Sequence, residues 1–538
     1  MPVRRRPRDR GGRDRAVGRR LGHPREGRRN PAGTRHPGED GLRGAHQLRP
    51  DDGARRAGAR ADRRTDHQQG VASCTVTGYI GPQTSFQIQL PVSTWHGQYL
   101  QEGCGGYCGR VQLTQQPQTS TGCVPVTNGE LVLATDNEGH VGAGVTDALW
   151  AQGDPAARTV YGYASEHSLA LVSKALIRAF YGQPPTFSYF DGCSDGGREA
   201  LNEAQRYPTD FNGIIAGAPA LDAIGLVGFL EPWIARVNTD AAGHQILGPD
   251  KMGALHTAVM AACAGPDGLI DDPRTCNFNP ATLRCPDGQD TPSCLTPAQI
   301  GVVGNFYRGP VDKQGHNLYD GGLPYGSELA WPTWDFGPAA DPNATRDSIA
   351  GQLALNYYDY LAPTARPGQP KNLQDIAFTS EAYAVQHAAS AVNDALNPDL
   401  SAFHAHGGKI ILYHGWADQA IPPFGTVDYY GAVVHQANGY ANAEQFSRLY
   451  LIPGQYHCLA IGGGDPQVTP DFVTPLMSWV EAGQAPASLT MPTAPGVTPH
   501  RTITVTPTNP LISRTATPPG ANNNYHWIGR YPVKPATS

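Results

Sequence analysis

The sequence predicts an α/β protein, a mostly parallel sheet with helices on both faces, divided by a large inserted domain. Three observations carry that prediction. Short apolar runs alternate with segments of helical periodicity from about 130 to 220, the alternation resumes from 409 to 454, and the residues between about 222 and 400 follow neither pattern. Strands alternating with helices give a parallel sheet covered on both faces, since each crossover helix packs back onto the sheet. A chain of 538 residues also exceeds the size at which one core keeps growing, which suits a core carrying an insertion.

Each element rests on its own stretch. FQIQL at 86–90 alternates as a half-buried strand, and ELVLATDNEGH at 130–140 starts as a buried strand and ends in polar loop residues. From 166 to 181 the apolar residues Leu169, Val172, Leu176, Ile177 and Phe180 recur at helical spacing. PTFSYFDGC at 185–193 then reads as a strand, SDGGREALNEAQRY at 194–207 as a helix and FNGIIAGAPA at 211–220 as a buried strand. KIILYHGWAD at 409–418 and FSRLYLIPG at 446–454 are short apolar runs closed by polar or Gly-rich sequence, and 485–520 reads as Pro/Thr-rich coil. The domain scheme is therefore a core over 71–221, an insertion over 222–400 and a second part of the core over 401–538.

Residues 1–70 are a different polymer. They hold 20 Arg, no Lys and 9 Asp or Glu, a net of +11, while the remaining residues carry 21 basic and 38 acidic side chains, a net of −17. With almost no branched apolar or aromatic residues, this segment is expected to be disordered and outside the fold. A basic arm for nucleic acid or anionic membrane is the functional alternative. Arginine without a single lysine favours translation from a start placed too far upstream, so neither nucleic acid nor membrane is expected as a partner. No window offers about 18 consecutive apolar residues, the length of a spanning helix.

All ten cysteines lie beyond residue 70, and two close pairs, Cys263 with Cys276 and Cys285 with Cys294, read as disulfides. An oxidising, secreted or extracytoplasmic setting follows, although no apolar signal segment opens the chain. Metal binding by cysteine lacks a CxxC to support it.

The chemistry centres on GCSDGG at 192–197. Gly192, Ser194 and Gly196 satisfy GxSxG between a predicted strand and a predicted helix, the setting in which a serine hydroxyl is presented above a sheet as a nucleophile. This assigns the α/β-hydrolase fold, in which the acid and then the base follow on loops after later strands. Asp418 stands just beyond KIILY and His457 just beyond SRLYLIP, at the carboxyl ends of strands where sites in parallel sheets assemble. His414 and His140 compete for the base. The choice of His457 is sharpened by neighbours: Cys193 precedes Ser194 and Cys458 follows His457, so a disulfide between them would hold nucleophile and base side by side.

GCSDGGRE, a distant YHC and the intervening HGWAD resemble the tannase and feruloyl esterase family. So do LPVSTWHGQYLQEGCGGYCG, ATDNEGH, SKALIRAFYG, FNGIIAGAPA and YRGPVDKQGHNLYDGGLPYGSELAW, from about Val71 to beyond Cys458. The resemblance implies Ser194, His457 and Asp418 as nucleophile, base and acid, with the Cys193–Cys458 bridge beside them. It implies an oxyanion hole from the backbone N–H of Asp195 and an early Gly-rich loop, here GCGG, with Gly105 ahead of Gly106 and Cys104. Cys104 and Cys108 stand where other members often show glycine and non-cysteine residues; a local bridge between them would stiffen the loop, leaving Cys74 to pair with Cys123.

The insertion resembles the family's lid, whose Trp331, Trp334, Phe336, Tyr357 and Tyr358 either stack on a phenolic acyl group or form the lid's own core. The triad chemistry requires no cofactor. Family members carry a calcium loop between paired lid cysteines; here the loop is CAGPDGLIDDPRTC, shortened, with Asp267, the Leu269 carbonyl and Asp271 as the remaining ligands. The implied activity is hydrolysis of small aromatic esters, feruloyl or galloyl, with a terephthalate monoester as the alternative. A serine carboxypeptidase-like peptidase and an inactive hydrolase-fold binding protein share the same sheet and residue order.

Overall fold

Nine strands form one sheet in the computed structural model, which describes residues 60–68, 71–113, 121–338, 345–368, 372–459, 467–496 and 500–510. In chain order they are β1 (Arg60–Gln68), β2 (Val71–Ile80), β3 (Thr84–Pro91), β4 (Gln98–Glu102), β5 (Leu131–Asp136), β6 (Phe187–Cys193), β7 (Gly213–Gly217), β8 (Lys409–Gly415) and β9 (Ser447–Ile452). Their spatial order is β1-β2-β3-β5-β4-β6-β7-β8-β9. The first three neighbouring pairs are antiparallel and the remaining five are parallel. The mostly parallel α/β sheet of the prediction is the architecture observed.

Every strand read from periodicity is present, and three of the nine in this sheet were missed. In β4 the polar Gln101 and Glu102 are buried, which hides the apolar pattern. Gln101 is satisfied there by the Tyr99 hydroxyl at 2.5 Å and the Glu166 carbonyl at 3.0 Å. In β2 every third rather than every second residue is buried over its first half. Strand β1 falls inside the segment expected to lie outside the fold; its backbone pairs with β2 from Arg64↔Thr75 to Gln68↔Val71, so the sheet begins before Val71. Backbone pairing makes no demand on apolar composition, which is why the composition gave no sign of it. The remainder of that Arg-rich tail, residues 1–59, lies outside the described residues.

Helices α1 (Ser165–Tyr181), α2 (Asp195–Arg206) and α8 (Phe424–Gln436) cover one face of the sheet, with Leu169, Leu201 and Val433 among the residues buried there. Helix α9 (Val473–Ala482) covers the other through Leu476 and Trp479. Within 485–520, expected as coil, Leu489–Pro492 and Thr502–Val505 pair antiparallel as β10 and β11. Leu489, Met491, Ile503 and Val505 alternate inward from that ribbon onto the second face.

Strands β7 and β8 are adjacent, from Gly213↔Lys409 to Gly217↔Tyr413, although residues 218–408 lie between them in the chain. This insertion is built of helices and turns, including α3 (Glu231–Val237), α4 (Met252–Cys263), α5 (Pro297–Arg308), α6 (Ile349–Asn356) and α7 (Ser380–Gln386). Its interior packs Leu230, Ile234, Leu255, Val303, Phe306 and Trp331. Departure and return meet where the Ala395 N–H donates to the Leu221 carbonyl at 2.9 Å. Beyond that point Leu400 and Phe403 already pack against the sheet, so the chain rejoins the core a few residues before 400.

Four disulfides join Cys104–Cys108, Cys193–Cys458, Cys263–Cys276 and Cys285–Cys294. The pairing of Cys74 with Cys123 is not made, and both are free thiols. Cys74 packs with the core on the α1 face, whereas Cys123 is buried on the α9 face near the Thr474 hydroxyl. The sheet itself separates them. Burial pushes the Cys123 thiol up to about 11, which keeps it protonated and inert.

Candidate active site

Strand β6 ends at Cys193 and α2 begins at Asp195, leaving Ser194 on the turn with φ 67° and ψ −121°. A serine held at positive φ is strained by on the order of 1–3 kcal/mol, and the surroundings hold it there. Its N–H donates to the Gly217 carbonyl at 3.0 Å, and the Gly196 N–H donates to the Cys104 carbonyl at 2.8 Å. The turn is closed so tightly that a Cβ on Gly192 would lie 2.2 Å from the Gly196 carbonyl oxygen. On Gly197 it would lie 2.3 Å from that of Gly217. The glycines of GCSDGG are thus required by the crossing backbone.

His457 follows β9 and Asp418 follows β8. His457 Nε2 is 2.9 Å from Ser194 Oγ, and its Nδ1 is 2.8 Å from Asp418 Oδ2. Because the carboxylate only accepts, Nδ1 carries the proton and Nε2 presents a lone pair to the serine hydroxyl. Asp418 is fully buried, and its Oδ1 accepts from the N–H groups of Ala420 at 2.9 Å and Ile421 at 2.8 Å. Burial opposes its ionisation, but His457 and His414 outweigh that and hold the carboxyl well below the usual range.

His414, the competing base, lies on the far side of Asp418. Its Nε2 is 3.2 Å from Asp418 Oδ2 and 2.8 Å from the Ile421 carbonyl, and its Nδ1 is 2.9 Å from Thr426 Oγ1. It supports the acid and does not reach the serine. His140 is spent between the Glu138 and Tyr107 carbonyls. Cys193 and Cys458 are bonded with their Cα atoms 5.9 Å apart, so the bridge spans the two strand ends that carry Ser194 and His457.

Beside the serine, the Cys104 N–H is committed to Glu199 Oε2 at 3.2 Å. That removes Cys104 as an oxyanion donor. A Cβ on Gly105 would meet no atom within 4 Å, so this residue faces open space, and Asp195 stands at the N-terminus of α2 where helix N–H groups have no intrahelical acceptor.

The Asp195 carboxylate, which the sequence left without a role, is gripped by Arg198 through Nε–Oδ1 at 2.6 Å and Nη2–Oδ2 at 2.9 Å. Arg198 is wholly buried, lies over the Tyr161 ring and also donates to the Gly162 carbonyl at 2.7 Å. Around it burial, with like charges nearby, pushes the carboxyls of Glu138, Glu166 and Glu199 well above their ordinary range. Sequence reasoning missed this group. The available signal was GGRE itself: charged residues in the first turns of a helix between two buried strands have no route to solvent.

The predicted aromatics separate. The Trp334 ring lies 5.6 Å from that of His457, and its indole N–H donates to buried Glu231 at 3.0 Å. Burial pushes the Glu231 carboxyl up to about 8. Trp331 instead packs on Phe306 and donates to Ser327 Oγ, Phe336 packs beside it, and Tyr357 is buried. The Tyr358 hydroxyl donates to the Gly228 carbonyl. These four are interior residues of the insertion.

In the shortened loop, Asp267 Oδ1 accepts from the Leu269 N–H, the Leu269 carbonyl accepts from the Gly265 N–H, and Asp271 is exposed. Arg501 donates to the Asp267 carbonyl at 2.8 Å, which already sets a cation against the loop. Calcium takes six or more converging oxygens. These residues do not fit it.

The family model for tannase and feruloyl esterase matches residues 69–517. The chain is 32% identical over 431 residues to a probable feruloyl esterase of Arthroderma benhamiae, covering 76% of each. It is 31% identical over 486 residues to the mono(2-hydroxyethyl) terephthalate hydrolase of Piscinibacter sakaiensis, covering 77% of each. The crystal structure of feruloyl esterase B from Aspergillus oryzae superposes with a TM-score of 0.68 at 24% identity, covering 81% of this chain and 86% of that one, a likeness of fold. The chain belongs to the tannase and feruloyl esterase family of carboxylic ester hydrolases.

Proposed function

We propose that this esterase hydrolyses esters of aromatic acids through an acyl-enzyme on Ser194. The observation that carries the reading is the unbroken Ser194–His457–Asp418 chain at 2.9 and 2.8 Å. As Ser194 Oγ attacks the ester carbonyl carbon, its proton passes to His457 Nε2, and the buried Asp418 carboxylate stabilises the imidazolium. The carbonyl oxygen becomes an oxyanion, received by the N–H groups of Asp195 and Gly105. The imidazolium returns its proton to the leaving alkoxide, releasing the alcohol. Water then enters and attacks the acyl carbon as His457 takes its proton; the imidazolium passes that proton to Ser194 Oγ as the acyl–oxygen bond breaks, freeing the acid and restoring the serine.

Trp334 beside His457 supports an aromatic acyl group, since a ring placed there stacks with the substrate's ring. The four disulfides support an oxidising, extracytoplasmic workplace. The terephthalate monoester is the second reading, favoured by the 31% identity to the hydrolase named for that substrate. Methyl ferulate, methyl gallate and mono(2-hydroxyethyl) terephthalate, compared by kcat/KM, separate the readings. Ser194→Ala should lose turnover of whichever is preferred by at least about 10³-fold and lose labelling by a serine-directed phosphonate; retained turnover overturns the assignment.

A further inference from the structure

A second convergence of ionisable groups sits where the insertion leaves and rejoins the sheet. Asp222, at the departure, caps a short helical turn, its Oδ1 accepting from the Gly225 N–H at 2.9 Å. Asp394, at the return, accepts from the Ile224 N–H through Oδ1 at 3.1 Å. His387 follows α7 and places its Nε2 3.1 Å from Asp222 Oδ1. One ligand-capable atom of each of the three lies within 4.8 Å of the others. Asp222 and Asp394 are 1% and 4% exposed, while the His387 side chain keeps 14%, a way in for a small ion.

The hydrogen bonds of His387 restrict its proton. Nδ1 lies 3.0 Å from the Tyr383 carbonyl, which only accepts, so Nδ1 carries hydrogen. In the neutral ring, Nε2 then aims a lone pair at a carboxylate oxygen. A second ring proton, a proton on Asp222 or a cation between them removes that conflict. Asp394 Oδ2 is buried without a hydrogen-bond partner at bonding geometry, although the Ser390 hydroxyl lies near the carboxyl.

A cation held between His387 Nε2 and the two carboxylates answers that lone pair. A histidine that donates its other N–H to a backbone carbonyl is arranged as metal-bound histidines are. Two carboxylates against one doubly charged ion also leave the buried site neutral. An imidazole in the ligand set selects a first-row transition ion over calcium or magnesium.

We propose that Asp222, His387 and Asp394 form a binding site for a divalent first-row transition metal, zinc in particular, that ties the two ends of the insertion together. The role assigned to the metal is structural, with no step of the ester chemistry routed through it. Its test uses the full chain without a polyhistidine tag, stripped with chelator and titrated with zinc chloride. Bound metal is counted by mass spectrometry after gel filtration, and cobalt(II) serves as the absorbing substitute.

The expected result is one zinc per chain, a visible cobalt spectrum showing histidine ligation, and a thermal midpoint that rises with zinc. His387→Gln and Asp394→Asn should each weaken zinc binding by at least about tenfold. Circular dichroism and phosphonate labelling of Ser194 verify that each variant is folded, and either one alone suffices. No bound zinc in the wild-type chain, or equal zinc binding by a folded variant, overturns the proposal.

Discussion

Replacing both Cys193 and Cys458 by alanine removes the bridge without leaving a reactive thiol, and the structure fixes what should follow. The bridge closes a sequence separation of 265 residues. Loop-closure entropy for that length is about 19 cal/mol/K, or about 5.5 kcal/mol at 25 °C, as an upper figure. Unfolding entropy of about 2.1 cal/mol/K per residue over the family-matched residues 69–517 is about 0.9 kcal/mol/K, so the thermal midpoint should fall by up to about 6 °C.

Activity should suffer separately. Ser194, Cys458 and Leu459 all sit at positive φ, at 67°, 52° and 61°, beside the bridge, and its loss lets them relax. A displacement of about 1 Å between nucleophile and base costs on the order of 10²-fold, and the loss should appear in kcat with KM little changed. The control is Cys285→Ala with Cys294→Ala. That bridge closes only 9 residues within the insertion, so it should cost about 2.5 kcal/mol and leave kcat intact. Calorimetry and steady-state hydrolysis of methyl ferulate measure both. A double variant at 193 and 458 that keeps its midpoint within about 1 °C and its kcat unchanged would refute the assigned role of the bridge.

Four further outcomes are expected. His457→Ala should cut kcat by at least about 10³-fold. His414→Ala, losing one hydrogen bond to a charged group, should cut it by about 10- to 100-fold while phosphonate labelling of Ser194 persists; equal losses would return His414 to contention as the base. Glu231→Gln keeps an acceptor for the Trp334 indole but removes a titration. Unfolded Glu231 gives up its proton near 4.5 and the folded one near 8, so between these values folding takes up a proton and wild-type stability falls as pH rises. The midpoint of Glu231→Gln relative to wild type should therefore climb from pH 5 to pH 8.5, and a flat difference would contradict the assignment. Arg198→Met strands the Asp195 carboxylate in the interior and should destabilise by about 3–5 kcal/mol in urea unfolding; a change below about 1 kcal/mol would show that the group is not held by charge.

The parts legible in the sequence were those that impose a local pattern. The turn around Ser194 announces itself because crossing backbones admit only glycine at 192 and 197. His457 was singled out among 18 histidines by a cysteine next door, a covalent constraint visible as adjacency. The pairing of Cys74 with Cys123 failed for the opposite reason, since which face of the sheet each thiol occupies depends on strand register and not on spacing. Strand β4 was hidden because Gln101 and Glu102 are polar yet buried, and the partner that satisfies the Gln101 amide, the Glu166 carbonyl, lies far along the chain. Trp331 and Trp334, three residues apart on one turn, read alike in sequence, yet one fills the insertion's interior and the other faces His457.

The hydrogen bond from the Ala395 N–H to the Leu221 carbonyl has a consequence for how this family diversifies. A segment whose two ends leave the sheet side by side can be exchanged as a cassette, because the donor and recipient scaffolds need agree only at those two splice points. Strands β7 and β8 pair with each other and not through the inserted chain, so a graft does not reopen the sheet or disturb Ser194 and His457. An exchange at positions 221 and 395 would then leave the pairing of β7 with β8 and the contact of Ser194 with His457 in place.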